Sequence, residues 1–320
     1  MALRGGIDLG GTKIEAIVVD ESQAVLGSAR RDTPTEGGPP GVVRELAAVL
    51  EEAAAAAGAE PSALAGVGVG SPGQVDRERG TVAKAGNLPD WSDPFPLASR
   101  LGERLGTRVV LGNDVRVAVE AERVLGAGLE HRSFLGVWWG TGVGGAVVLD
   151  GKLWLGRGSA GELGHVVVKL GGARCPCGRR GCLEAYAGRA AMERRARKAE
   201  ADGEKTKLFE IMRKHGRTRL TSGVWATALV RGDKLAQLLI DEAVVALGAG
   251  IGSVVNVLDV EAVVIGGGLG TRFGEPYVER IANAAAPHLF VADRPPAFLP
   301  AQLGDAGGAI GAALLVDDQR

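Results

Sequence analysis

Three cysteines and one histidine give the strongest chemical signal in the chain. Cys175, Cys177 and Cys182 share one short segment, and His165 lies a little upstream of them. Zinc prefers sulfur and nitrogen donors, and a closed site of four such ligands is structural because no position is left for water. An odd cluster of cysteines without a secretory signal also favours metal binding over disulfides. The pattern predicts a structural Cys₃His zinc site, with His131 as the other candidate for the fourth ligand.

Two carboxylates flank this predicted metal loop. Glu162 precedes His165, and Glu184 follows Cys182. Carboxylates accept hydrogen bonds from the vicinal hydroxyls of a sugar, and a rigid frame lowers the entropic cost of holding them in place. We therefore expect the zinc loop to present a sugar-binding edge, although two ordinary surface acids would show the same spacing.

Glycine-rich turns supply a second kind of chemistry. The segment Asp8–Lys13 can offer backbone N–H groups, a hydroxyl and a cation to phosphate. The segment Gly140–Gly145 matches a dinucleotide fingerprint, but a strand is expected after it where that site requires a helix. Two opposed glycine turns can instead hold a triphosphate from both sides. A third turn, Gly266–Gly270, is expected to lie against the adenine or ribose.

A candidate catalytic base follows the strand that ends near Gly112. Asn113 and Asp114 open the next helix, where Asn and Asp are also favoured as N-caps. Ligands of α/β proteins bind at the carboxyl ends of strands, so a capping and a functional role are compatible there. Asp114 is the carboxylate expected to accept a hydroxyl proton. Phosphoryl transfer depends on positioning and charge neutralisation, so one base with Mg²⁺ is sufficient.

The elements that must position these residues repeat along the chain. Apolar runs broken by turns predict a β-meander near Gly6–Leu26 and a second one over Phe134–Leu155, each followed by helices. The segments Ala16–Asp20 and Ala146–Asp150 occupy corresponding places in the two copies. We predict an α/β fold with two related lobes facing each other across a central cleft. Residues 1–112, completed by a C-terminal helix at about 303–320, form the small lobe, and residues 113–302 form the large lobe with the zinc loop.

Composition narrows the class of protein. Among 320 residues, 46% are hydrophobic and 23% charged, as in an ordinary globular protein. The net charge is −1, so we expect no broad positive potential that would attract nucleic acid or an anionic membrane. The longest apolar stretch, Ala243–Val255, is expected to be a buried helix too short to span a bilayer. Acids interspersed among the basic residues of 189–219 favour solvated helices over an anion-binding patch. With no apolar signal segment at the start, we expect a cytoplasmic protein.

Four segments together resemble the ROK family (repressor, open reading frame, kinase): Asp8–Lys13, Gly140–Gly145, Gly161–His165 and Cys175–Glu184. The resemblance extends from about Gly6 to Gly311. It implies the duplicated, ribonuclease-H-like fold of the actin/hexokinase type and transfer of the ATP γ-phosphoryl group to a hexose. The repressor members carry an N-terminal helix-turn-helix, whereas this chain begins directly at its first phosphate motif, so we expect an enzyme.

The resemblance also implies roles for individual residues. Those expected to bind ATP are Asp8, Gly10, Gly11, Thr12, Lys13, Gly140, Thr141, Gly142, Gly144, Gly267 and Gly268. Those expected to bind the sugar are Ser71, Pro72, Gly73, Asn87, Asn113, Asp114, Glu162, His165 and Glu184. Asp114 would deprotonate the sugar 6-hydroxyl, Asp8 would help to place Mg²⁺, and His165 would also bind zinc.

The expected substrate is glucose. The loop Asn87–Trp91 resembles the glucokinase version of this segment, and the complete cysteine motif differs from that of polyphosphate-using relatives. A kinase for N-acetylglucosamine or N-acetylmannosamine is the main alternative. A sugar-sensing protein without catalysis is a third interpretation, against which Asp114 and the three glycine turns argue. The expected partners are the sugar, the nucleotide and further copies of the chain in a dimer or tetramer.

Overall fold

A computed structural model describes residues 2–317, which divide into two compact units. Unit 1 joins the N-terminal part of the chain up to Leu125 with the segment that begins at Asp305. Unit 2 comprises Gly126–Gly304. The sequence-based division ended the first lobe at residue 112, and it placed the following helix in the second lobe. Of the C-terminal helix expected at 303–320, residues 318–320 lie outside the described part of the chain.

The described residues contain twelve strands and eleven α-helices, together with four short 3-10 helices. The strands are β1 Arg4–Leu9, β2 Lys13–Val19, β3 Val25–Asp32, β4 Val67–Ser71, β5 Gln74–Asp76, β6 Thr81–Ala83, β7 Val109–Asn113, β8 Phe134–Trp139, β9 Val143–Leu149, β10 Lys152–Trp154, β11 Ala262–Gly266 and β12 Ala297–Pro300. The helices are α1 Gly38–Ala56, α2 Leu97–Leu105, α3 Asp114–Leu125, α4 Glu184–Ala187, α5 Arg189–Ala201, α6 Leu208–Lys214, α7 Ser222–Val230, α8 Lys234–Leu258, α9 Gly267–Phe273, α10 Glu275–Ala285 and α11 Gly307–Leu314.

The sheet of unit 1 has the strand order β3-β2-β1-β4-β7. Strands β1, β4 and β7 are parallel, and β2 and β3 extend the sheet as an antiparallel meander. Helix α11 packs closely on the sheet because small residues face it. A Cβ atom on Gly6 would overlap the carbonyl oxygen of Ala309, and one on Gly68 would overlap that of Ala312. Because β1, β4 and β7 run parallel, their carboxyl ends share one edge of the sheet.

The sheet of unit 2 repeats this arrangement with the order β10-β9-β8-β11-β12. Strands β8, β11 and β12 are parallel, and β9 and β10 form the meander. The predicted corresponding segments Ala16–Asp20 and Ala146–Asp150 fall at the ends of β2 and β9, the second strand of each copy. The internal duplication predicted from the glycine turns is thus confirmed. The strand after Gly140–Gly142 also confirms that this turn is no dinucleotide fingerprint.

Helix α8 is the central helix of unit 2. Its 25 residues are long and apolar enough to cross a membrane, so the prediction that this segment is too short was wrong. However, 61% of its most apolar 18-residue window is buried inside the protein, as in the core helix of a folded domain. A Cβ atom on Gly248 would overlap the backbone of Ala284, which shows how closely α10 packs against it.

Candidate active site and metal centre

The carboxyl edge of the unit 1 sheet gathers the residues predicted to perform the chemistry. Asp8 of β1 pairs in register with Gly70 of β4, and Ser71 of β4 pairs with Asn113 of β7. Asp114 follows immediately as the first residue of α3. The structure therefore brings the predicted base, its neighbouring amide and the predicted Mg²⁺ carboxylate to one edge.

Asp114 is held in a defined orientation. Its Oδ1 atom accepts hydrogen bonds from the Asn113 side-chain amide at 2.9 Å and from the Val115 backbone N–H at 2.9 Å. Asn113 Oδ1 in turn accepts from the Arg116 backbone N–H at 3.2 Å, which ties the amide to the first turn of α3. The capping and functional interpretations of this pair are therefore compatible. A general base must be positioned in this way to meet a substrate hydroxyl.

Asp8 lies in an environment that disfavours its charge. Burial and the nearby Asp114 carboxylate raise the pKa of Asp8 from 3.8 to about 7, although the Lys13 amino group opposes the rise. Two neighbouring carboxylates are the oxygen donors that Mg²⁺ prefers, and a cation here would favour the ionised form of both. The donor set therefore fits the predicted magnesium-binding role of Asp8.

The glycine turn of unit 1 is closed and crowded. The Gly10 N–H donates to the Lys13 carbonyl at 2.9 Å, and the Thr33 hydroxyl donates to the Gly10 carbonyl at 2.6 Å. A Cβ atom on Gly11 would lie 2.9 Å from the Cβ atom of Asn87, so the predicted sugar ligand Asn87 lies against this turn. Thr12 accepts a backbone hydrogen bond from Thr33. The turn therefore has little freedom to change shape.

Two residues at this edge were missed by the sequence analysis. Asp305 pairs with the Lys13 amino group at 2.8 Å and balances part of the charge predicted to meet phosphate. Gly308, in the first turn of α11, leaves room for the Asp8 carboxylate, whose Cγ would lie 2.7 Å from an added Cβ. The signal that could have identified them is the glycine pair Gly307-Gly308, which opens the apolar helix α11 just after Asp305.

The segment Ser71–Gly73 connects β4 to a small hairpin made of β5 and β6. Ser71 is fully buried, and its hydroxyl donates to the Pro72 carbonyl at 3.1 Å. Gly73 adopts a φ of +88°, and an added Cβ would lie 2.6 Å from the Ala83 carbonyl oxygen. Only glycine fits there. The predicted wall of the sugar pocket is thus a constrained turn at the same sheet edge.

In unit 2, the predicted phosphate turn lies between β8 and β9. The Gly140 N–H donates to the Gly142 carbonyl at 3.0 Å, which closes a tight turn. The Val143 N–H donates to Glu184 Oε2 at 3.1 Å, and a Cβ atom on Gly142 would overlap the same oxygen. Gly144 continues into β9 opposite Trp138. Glu184 therefore supports the turn directly, a contact that spacing alone did not predict.

The predicted nucleoside turn contacts the phosphate turn within unit 2. An added Cβ on Gly140 would lie 3.7 Å from the Gly268 nitrogen, and one on Gly267 would lie 2.8 Å from the Trp139 backbone. Gly267 has a φ of +81°, so a side chain is excluded there on both grounds. The segment is the first turn of α9 and not the loop expected over Gly266–Gly270. Ser222, whose hydroxyl lies 3.9 Å from an added Gly268 Cβ, was missed by the sequence analysis.

The predicted metal ligands converge. The ligand atoms of His165, Cys175, Cys177 and Cys182 all lie within 4.8 Å of one another. The Cys177 and Cys182 sulfur atoms are 3.7 Å apart, and His165 Nδ1 is 3.8 Å from Cys175 Sγ. Tetrahedral zinc with Zn–S bonds of about 2.3 Å requires sulfur atoms about 3.8 Å apart. The four residues therefore fit zinc, and His165 joins the cluster as the predicted fourth ligand.

The electrostatics of the thiols agree with a cation. Burial raises the pKa of Cys175 and Cys182, whereas the backbone N–H of Arg179 lowers the pKa of Cys177. Buried thiols become thiolates at neutral pH only beside a positive charge, and zinc supplies that charge. The loop around the ligands turns at Gly178 and Gly181, both with positive φ.

The two acids beside the metal loop have different surroundings. Glu184 Oε1 lies 4.0 Å from Cys175 Sγ, while its other oxygen accepts from the phosphate turn. A single carboxylate thus joins the metal loop to the turn before β9. Glu162 is exposed, and its backbone carbonyl accepts from the His165 N–H at 3.0 Å. Only Glu184 has the fixed position that the sequence predicted for both.

Comparison with known proteins places these features in context. The ROK family model matches residues 4–319. A glucokinase from Thermotoga maritima is 34% identical, with 98% of this chain and 97% of that protein covered, and an N-acetylgalactosamine kinase from Shewanella is 33% identical with 97% and 95% covered. The crystal structure of a ROK family glucokinase from Streptomyces griseus, in complex with glucose and AMPPNP, is 33% identical. It matches with a TM-score of 0.83 over 99% of this chain and 100% of that chain.

Proposed function

The chain belongs to the ROK family, and on this basis we propose that it is an ATP-dependent glucokinase that phosphorylates the 6-hydroxyl of glucose. The observation that carries the proposal is the fixed carboxylate of Asp114, oriented by Asn113 beside Asp8. Glucokinases at 32–34% identity over nearly the full length support the same reaction.

In the proposed reaction, Asp114 accepts the proton of the 6-hydroxyl as the hydroxyl oxygen forms a bond to the γ-phosphorus. The bond from that phosphorus to the bridging oxygen of ADP breaks, so ADP leaves with the electron pair. Asn113 holds the base in position by donating to its Oδ1 atom. Mg²⁺, held by Asp8 when bound, would neutralise charge on the phosphates.

The nucleotide is assigned to the glycine turns. Gly140–Gly142 and Gly267–Gly268 lie close to each other in unit 2, with an added Gly140 Cβ 3.7 Å from the Gly268 nitrogen. Backbone groups of such glycine turns are suited to bind phosphate. In unit 1 the corresponding contacts would come from Gly10, Gly11, Thr12 and Lys13. The neighbour from Streptomyces griseus was crystallised with the ATP analogue AMPPNP, which supports ATP as the donor here.

The sugar is assigned to polar side chains around the candidate base and the metal loop. The proposed ligands are Asn87, Asn113 and Asp114 of unit 1, with Ser71–Gly73 at the same sheet edge, and Glu162, His165 and Glu184 of unit 2. Zinc has a structural role in this proposal, because four protein ligands fill its coordination. It would stabilise the loop from which His165 and Glu184 project.

A kinase for N-acetylhexosamines is the second candidate. The observation that favours it is the N-acetylgalactosamine kinase from Shewanella, which is nearly as similar in identity and coverage as the glucokinases. N-acetylhexosamines carry an acetamido group at carbon 2 where glucose has a hydroxyl, and N-acetylgalactosamine also differs from glucose in configuration at carbon 4. They share Asp114, the glycine turns and the metal loop.

The test is turnover with ATP and Mg²⁺ on glucose, mannose, N-acetylglucosamine, N-acetylmannosamine and N-acetylgalactosamine, followed through ADP release. We expect the highest kcat/KM on glucose. Turnover restricted to N-acetylhexosamines would replace the substrate in the proposal. Sugar binding by calorimetry without turnover on any sugar would favour a sugar-sensing protein instead.

The proposed reaction also sets the expected cellular context. ATP and free sugar are available in the cytoplasm, so we expect the protein to act there. We also expect it to form a dimer or tetramer of identical chains, as the resemblance to the family implies. Size-exclusion chromatography with light scattering measures that oligomeric state directly. A monomer at micromolar concentration would contradict the expected assembly without affecting the chemistry.

A further inference from the structure

The first residues of α5 hold the phosphate turn of unit 2. The Arg189 guanidinium donates from Nη2 to the Thr141 hydroxyl at 2.7 Å. Its backbone N–H donates to the Gly140 carbonyl at 3.1 Å, and the Ala190 N–H donates to the Thr141 carbonyl at 3.0 Å. Two residues of the turn thus receive three hydrogen bonds from one helix start.

The same guanidinium holds the segment that leads into α7. Arg189 Nη1 donates to the Leu220 carbonyl at 2.8 Å. Glu193, buried one helical turn later on α5, accepts from the Leu220 N–H at 3.1 Å. Both backbone groups of Leu220 are therefore fixed by α5. The next residues are Thr221, which caps α7, and Ser222, the residue beside Gly268.

Arg189 keeps a positive charge that its direct partners do not neutralise. Within residues 2–317, no carboxylate forms an ion pair with Arg189. Its two side-chain hydrogen bonds go to the Thr141 hydroxyl and the Leu220 carbonyl. Burial and the nearby Arg219 lower the pKa of Arg189, with Glu193 acting in the opposite direction. A partly buried guanidinium of this kind favours an anion nearby, and its planar fork fixes two acceptors at once.

We propose that Arg189 is the positioning residue of the nucleotide site. It fixes the Gly140–Thr141 turn relative to the start of α7, and it adds positive charge close to where the phosphates would bind. This inference rests on the proposed function, since it takes those turns as the nucleotide site. It acts through Thr141 and Leu220, and no direct contact with ATP is required.

The test compares Arg189→Met and Arg189→Lys with the matched control Arg194→Met, which alters an exposed arginine on the same helix. We expect Arg189→Met to raise the KM for ATP about tenfold while the KM for glucose stays within twofold. Arg189→Lys retains the charge but not the fork, so its KM for ATP should rise about threefold. The control should match the wild type. Equal KM values for ATP in Arg189→Met and wild type, or a parallel rise for glucose, would overturn the inference.

A second variant keeps the test decisive if Arg189→Met does not fold. Thr141→Val removes the acceptor of Nη2 and preserves the shape of the side chain. We expect it to weaken binding of a fluorescent ATP analogue, and to add little when combined with Arg189→Lys, because the two changes break the same contact. Fully additive effects would contradict the shared contact. A wild type that binds the analogue but phosphorylates no sugar would overturn the proposed function alone, and a wild type that binds none would overturn both.

Discussion

The two sheets have the same strand order but different chemistry at equivalent positions. Strands β1 and β8 share one burial pattern, in which only the fifth residue is partly exposed. That residue is Asp8 in unit 1 and Trp138 in unit 2. The comparison shows that both copies supply a sheet edge and a glycine turn, while the carboxylates proposed to act in the reaction, Asp8 and Asp114, lie in unit 1.

The turns themselves are stabilised in different ways. In unit 1 the charged groups lie on the meander and its neighbours, with Lys13 paired to Glu15 and Asp305. In unit 2 the turn has no ionisable residue of its own, and Glu184 and Arg189 support it from segments inserted after β10. The metal loop and α5 therefore serve as external supports that unit 1 does not need.

The largest expected effect concerns the carboxylates of unit 1. Asp114→Asn should lower kcat by about 10²–10⁴-fold because a positioned base is lost, while the dissociation constant for glucose changes little. Steady-state kinetics and calorimetry measure the two quantities. Glu120→Gln on the same helix is the control and should behave as the wild type. Nearly unchanged turnover in Asp114→Asn would show that another group takes the proton.

The second effect separates stability from function at Asp8. Its folded pKa is raised, so the folded state holds the proton more tightly and the wild type loses stability as the pH rises from about 4 to about 7. Asp8→Asn removes this penalty. Without Mg²⁺, we expect the variant to exceed the wild type by about 2–4 kcal/mol in free energy of unfolding at pH 8, and by less at pH 5.

Urea unfolding at the two pH values measures this difference. Turnover of Asp8→Asn should fall despite the gain in stability, because the Mg²⁺ carboxylate is gone. A stability difference that is the same at pH 5 and pH 8 would contradict a pKa of Asp8 raised by burial and by the nearby Asp114 carboxylate.

The smallest effect in this series concerns the support of unit 2. Cys177→Ser should reduce the zinc content and raise the KM for glucose about tenfold, because the metal loop positions Glu184 and His165. Elemental analysis and kinetics measure the two. Chelation of the wild type should produce the same change, and added zinc should reverse it. Loss of zinc with an unchanged KM for glucose would show that the metal and the sugar site are uncoupled.

Local pattern was enough to predict much of this molecule. Apolar runs bounded by turns predicted β1, β2, β8 and β9, and donor chemistry identified the four residues of the predicted zinc site, since both signals lie within short segments. The helical start at Gly267 was missed because a glycine-rich segment has weak helix propensity, and packing against Trp139 decides its conformation. The 25-residue length of α8 was missed because polar residues at its N-terminal end interrupt the apolar run.

Contacts between distant segments could not be predicted from the sequence pattern. Arg189 and Thr141 are 48 residues apart, and nothing in the spacing of either pairs them. Asp305 and Lys13 likewise meet only because α11 returns to the first sheet. The sequence analysis treated 189–219 as solvated helices, which overlooked the contact of Arg189 with the Gly140–Thr141 turn.

The most direct test of the account is ³¹P NMR of the protein with ATP, Mg²⁺ and glucose, recorded beside the Asp114→Asn variant. The account predicts that ADP and glucose 6-phosphate appear together in equal amounts with the wild type, and that neither accumulates over the same period with the variant. Consumption of ATP without a phosphorylated sugar, or equal product formation by the variant, would contradict it.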